Sequence, residues 1–88
     1  MEIKNVQLTI NDLAKASRRI GRLIEAEERF NAFLCRSSDD CWSYPNADEK
    51  YEMYLNKMNL SDERITTLEE AQEAVQSALS KLEPLLES

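Results

Sequence analysis

The sequence contains no histidine, which removes the side chain that most often serves as a general base near neutral pH and most often ligates a transition metal. It holds one glycine and two prolines. Strand-rich folds need many tight turns, so so few breakers point to long helices. The two cysteines, Cys35 and Cys41, are separated by five residues. That is not zinc-ligand spacing, and no further soft ligands complete a tetrahedron. Both are expected as free thiols, with Cys35 partly buried at a helix end. No apolar run approaches the roughly 20 residues that a membrane-spanning helix needs. Residues 1–5 lead directly into charge, without the apolar stretch of a signal peptide. The expectation is a cytoplasmic protein with no membrane association and no cofactor.

What remains is a short, charged, moderately apolar chain. Its 88 residues make one domain, and 42% of them are hydrophobic, an ordinary value for a folded protein. A chain of this size buries only about 60–65% of its unfolded surface, near the lower limit for a self-sufficient core. The formal charge is −6, unevenly spread. Residues 1–36 sum to +2, with seven Lys/Arg against five Asp/Glu, whereas residues 37–88 sum to −8, with four against twelve. An acidic chain is poorly suited to general binding of nucleic acid or anionic membrane, because phosphate affinity comes from net cationic charge.

Helical spacing dominates. Ile10, Leu13, Ala16, Ile20, Leu23, Ile24, Phe30 and Leu34 recur at three- and four-residue steps, which predicts one helix over about 5–35. Asn5 or Asn11 is its candidate cap. Glu27 and Asn31 fall on or beside its apolar stripe, and Gly21 within it costs about 1 kcal/mol relative to Ala. Residues 36–46, rich in Ser, Asp, Pro and Asn, read as a loop. A second helix is expected over about 47–59, burying Tyr51, Tyr54, Leu55 and Met58. Asn59 is its candidate stop and Ser61 a fresh start. A third helix over about 62–83 carries the seam Ile65, Leu68, Gln72, Val75, Leu79, Leu82, Leu86, which alternates three and four as in a coiled coil. The fold class is therefore all-α: a three-helix bundle or a helical hairpin with a long N-terminal helix.

Length adds an argument for association. Thirty helical residues span about 45 Å at 1.5 Å per residue, whereas a compact domain of this size is about 31 Å across. A third helix of about 20 residues cannot cover the first. Either the helix kinks at Gly21 within a monomeric three-helix bundle, or another chain covers the overhang; self-association, a dimer first, is the expected remedy, with the seam from Ile65 to Leu82 as bundle core or as the contact.

Candidate chemistry is sparse. Lys15, Arg18, Arg19 and Arg22 share one side of the first helix, at spacings where like charges repel. They are read either as partners for carboxylates such as Glu69, Glu70 and Glu73, or as a clamp for a phosphate-bearing ligand. Trp42 and Tyr44 lie in the acidic loop, as a lid on the bundle end or as contact residues, since aromatics are enriched at binding hot spots. Asp39, Asp40 and Asp48 lack calcium-loop spacing. Glu-x-x-Glu pairs of the kind that hold magnesium in the all-α nucleoside triphosphate pyrophosphatases occur at Glu25/Glu28 and Glu70/Glu73. The complementary Glu-x-x-Asp is missing, and such pairs commonly form a solvated face.

The sequence thus points to a non-enzymatic interaction protein, an inhibitor or adaptor acting on a larger protein, of a type that phages and mobile elements encode. The alternative is an oligomer that holds a nucleotide or nucleic acid on Lys15, Arg18, Arg19 and Arg22.

Overall fold

The computed structural model describes residues 2–87 as an antiparallel helical hairpin. Helix α1 spans Ile3–Asp40, a short 3-10 turn covers Cys41–Ser43, helix α2 spans Ala47–Leu82, and a second 3-10 turn covers Glu83–Leu86. The molecule measures 67 × 14 × 13 Å, a narrow rod made of two paired helices. The all-α expectation holds, in its hairpin form.

The seam explains both helix lengths. In α1 the residues wholly or partly withdrawn from solvent include Val6, Ile10, Leu13, Ser17, Ile20, Ile24, Glu27, Asn31, Leu34 and Ser38, and the series continues to Cys41. In α2 they include Ala47, Tyr51, Tyr54, Met58, Ser61, Ile65, Leu68, Gln72, Val75, Leu79 and Leu82, ending at Leu86. Both series alternate steps of three and four without a miss, the mean period of 3.5 that keeps one stripe of a helix facing its partner. At the open end Val6, Ile10 and Leu79 form the buried core, with Leu13, Val75, Leu82, Leu85 and Leu86 packed against them.

Three expectations change here. The second and third helices are one: α2 runs unbroken through Asn59 and Ser61. Asn59 is exposed on its outer side, while Ser61 is completely buried; it is a seam residue facing α1 and starts no new helix. Residues 36–40 belong to α1, because Ser38 and Cys41 extend the buried stripe past Leu34. Finally, α2 has 36 residues against the 38 of α1. The long first helix is covered along its whole length by its own chain, and the seam from Ile65 to Leu82 is used inside the hairpin.

The reversal is tight. Tyr44 is extended (φ −104°, ψ 153°), the conformation favoured before proline. Pro45 and Asn46 then lead into α2, whose first turn carries Asp48 and Glu49 and whose last carries Lys81, both favourable with the helix dipole. α1 begins after Glu2 without a side-chain cap, and Asn5 and Asn11 lie inside it.

Gly21 interrupts neither α1 nor its contact with α2; a Cβ there would meet the amide nitrogen of Gln72, the end of a flexible side chain, at 3.4 Å. Gly21→Ala should therefore stabilise the hairpin by about 0.5–1 kcal/mol, read as a rise in Tm of several degrees. Because α2 is continuous, Asn59→Pro should cost about 3 kcal/mol. Tolerance of that proline in thermal melts would mean a break in α2.

Candidate interaction surfaces

The middle of the seam is polar, and its hydrogen bonds set the register. The guanidinium of Arg64 grips one oxygen of Glu27 through both Nη2 (2.8 Å) and Nε (2.9 Å). Asn31 Nδ2 donates to Asp62 Oδ1 at 2.8 Å. One level toward the open end, Gln76 Nε2 donates to Ser17 Oγ at 2.7 Å and Gln72 Nε2 to the Ser17 carbonyl at 3.2 Å. Gln72, the polar member of the α2 seam, thus binds the backbone of α1. Toward the tip, the thiol of Cys35 lies 3.4 Å from Met58 Sδ. These contacts match Ser17 with Gln76, Asn31 with Asp62 and Cys35 with Met58, and so fix the height of every other pair.

Ser61 is the buried polar group that this network does not satisfy. Its Oγ has no hydrogen bond of good geometry, yet it lies close enough to Glu27 to favour the ionised carboxylate. The Arg64 hydrogen bond, then Ser61, hold the Glu27 carboxyl below its ordinary value of 4.5 against a smaller opposing effect of desolvation.

Lys15, Arg18, Arg19 and Arg22 are all exposed on the outside of α1. Among the described residues they make no ion pair within 4 Å, and Arg64–Glu27 is the pair that does form. They do not reach Glu69, Glu70 or Glu73. Lys15 and Arg22 stand on the outermost ridge, which continues at the same seven-residue spacing to Arg29 and Arg36, with Arg18 and Arg19 to either side. The four cations diverge from one convex surface, a poor geometry for clamping a single phosphate.

At the tip, the aromatic pair is exposed and held in place. Trp42 and Tyr44 are 56% and 55% exposed. Trp42 packs on Tyr51 with ring centroids 4.9 Å apart, and Lys50 Nζ sits 3.9 Å from the Tyr44 ring centroid. Beside Trp42 a shallow groove is lined by Pro45, Asn46, Ala47, Asp48 and Glu49. Cys35, expected to be partly buried, is exposed, and Cys41 is buried; both are free thiols. The Cys41 thiol donates to the Ser38 carbonyl at 3.0 Å, tying the turn to the end of α1.

Sequence reasoning missed a further surface. Leu23, Phe30 and Leu55 were assigned to buried stripes, but all three are exposed, as are Phe33, Met53 and Leu60. Leu23, Phe30 and Phe33 lie on the flank of α1 beside its Leu34 and Glu27 positions, and Met53 and Leu60 on the matching flank of α2. Two shallow grooves meet at Leu60, one continuing to Met53 and Lys57, the other to Arg64 and Thr67. The opposite flank is strongly acidic, with Glu25, Glu28, Glu52, Asp62, Glu69 and Glu73. Fixing the seven-residue repeat first, and then asking which large apolar residues it leaves out, would have found this flank.

The carboxylate pairs Glu25/Glu28 and Glu70/Glu73 are not gathered into a common site: among the described residues, no three Asp, Glu, Cys or His side chains are grouped to hold a metal ion. No helix there is long and apolar enough to cross a membrane. The chain matches no protein-family model, no curated protein and no solved structure.

The Glu27 environment predicts an acid limb of stability. A carboxyl with a depressed folded-state pKa contributes fully above its unfolded value and loses that contribution as pH falls through the folded one. The stability gap between wild type and Glu27→Gln should be constant above about pH 5 and narrow below it, as read by urea denaturation across pH. Ser61→Ala removes a buried hydroxyl together with its support of the Glu27 carboxylate, opposing effects that should leave stability within about 1 kcal/mol of wild type, whereas Ser61→Leu overfills the seam and should cost about 1–3 kcal/mol.

Proposed function

We propose that the chain is a non-catalytic docking protein, an adaptor or inhibitor, whose hairpin tip binds a larger protein. The observation that carries this reading is the pair Trp42 and Tyr44, each more than half exposed on a short turn and each braced by a neighbour. Large aromatics held in one orientation lose little side-chain entropy on binding, and for that reason they dominate many interfaces. Their surroundings suggest the partner's chemistry. Asp39, Asp40, Asp48 and Glu49 crowd the same end, so the complementary surface is an apolar pocket rimmed by basic side chains. The rod shape suits this role, since it carries the tip at the end of two helices and leaves the shaft free.

The test is capture of partners on the full chain, immobilised at the open end of the hairpin, beside a Trp42→Ala/Tyr44→Ala variant of unchanged helicity. A stoichiometric protein should be held by the wild type, and the paired substitution should weaken it by at least about 30-fold, the scale of a single hot spot of 2 kcal/mol. Undiminished binding by the variant would place the contact elsewhere on the chain.

A further inference from the structure

We infer that the flank bearing Leu23, Phe30, Phe33, Met53 and Leu60 is covered by a second copy of this chain, forming an antiparallel four-helix bundle with both tips at the same end. This goes beyond the docking role of the tip and rests on different residues.

Area is the first argument. The hairpin exposes 6523 Å², whereas a folded monomer of 10.2 kDa is expected to expose about 5,300 Å². The excess, about 1,200 Å², exceeds the roughly 800 Å² per partner that a standard stable interface buries. The second argument is where the apolar excess lies. Phe33 and Leu60 are more than half exposed, on facing helices and at about the same height. From Leu23 to the level of Met53 the patch runs about 26 Å along the rod at 1.5 Å per residue. The opposite flank carries six carboxylates, whereas the charges set among these apolar side chains are cations, among them Lys57 and Arg64, with Arg64 paired to Glu27.

Charge selects both the occupant and its orientation. The outer ridge of α1 is cationic and that of α2 is acidic. If the second copy lies on the apolar flank with tip beside tip, α1 lies over α2 of that copy. The hairpin register then puts Arg22 level with Glu70 of the second copy and Arg29 level with Glu63 of the second copy. Every helix acquires antiparallel neighbours of opposite ridge charge. Turning the copy end for end would set cationic ridge against cationic ridge. A second copy therefore supplies the apolar cover and the complementary charges together.

Two measurements on the full chain test this. Sedimentation equilibrium should give twice 10.2 kDa, and Phe30→Glu/Leu60→Glu should halve that mass, while the control Leu8→Glu, on the outer ridge of α1, should not. Since a separated hairpin could lose helicity, the second measurement leaves the patch intact. Ala26→Cys/Thr67→Cys in a Cys35→Ser background places two thiols at one height on opposite edges of the flank. They are far apart within a chain but adjacent between copies packed tip beside tip. Mild oxidation should yield a covalent dimer on a denaturing gel. A 10.2 kDa species at the highest attainable concentration overturns the inference, and a dimer without the cross-link overturns the tip-to-tip arrangement. Neither outcome bears on Trp42 and Tyr44, so the docking role is judged separately.

Discussion

A hairpin only two helices wide has no interior in the usual sense, and everything in this molecule depends on one line of contact. Each helix contributes a single stripe, repeated every three or four residues from Val6 to Cys41 and from Ala47 to Leu86. Side chains on the flanks stay in water because no third element covers them. That is why residues as large as Phe30, Phe33 and Leu60 are exposed. A compact three-helix bundle of the same composition would have buried them.

Along that line the chemistry changes. The open end is aliphatic, around Val6, Ile10 and Leu79. The middle substitutes hydrogen bonds and an ion pair, with Glu27, Asn31, Ser61 and Gln72 at positions where a coiled coil would ordinarily place leucine. Such groups add less stability than apolar packing does, but they constrain register, because a slip of one step leaves partly buried donors and acceptors such as Ser17 and Gln72 unpaired. The Glu27–Arg64 grip and the Ser17–Gln76 bond are incompatible with a shifted pairing. At the tip small residues take over on the α1 side: Ser38 and Cys41 let the chain turn closely against Tyr51 and Tyr54, and the large rings of Trp42 and Tyr44 are left outside.

The result is a rod with distinct sides. One flank sets apolar side chains among the cations Lys57 and Arg64, the other is acidic, the two outer ridges carry opposite charge, and the aromatic rings stand at one end. Here the described surface is convex apart from shallow grooves, and its polar groups either bind one another across the seam or point into water.

The helical class, the few turns and the seam from Ile65 to Leu82 were legible because periodicity needs no tertiary information. The acidic bias and the candidate residues at Lys15–Arg22 and Trp42–Tyr44 could likewise be named from the sequence. Where the helices end could not. Ser61 and Asn59 resemble a stop and a cap when read locally, and Ser38 resembles a loop residue, yet continuous packing against the opposite helix overrides those weak preferences. For the same reason, whether an apolar residue is buried was undecided: Ile24 and Leu23 look equivalent in sequence, and only the opposing helix settles that one lies in the seam and the other on the flank. The sequence alone determined that this chain is helical, because spacing and the scarcity of breakers are local properties. The tertiary structure decided which face of each helix is left over, because that depends on how many neighbours there are to cover it.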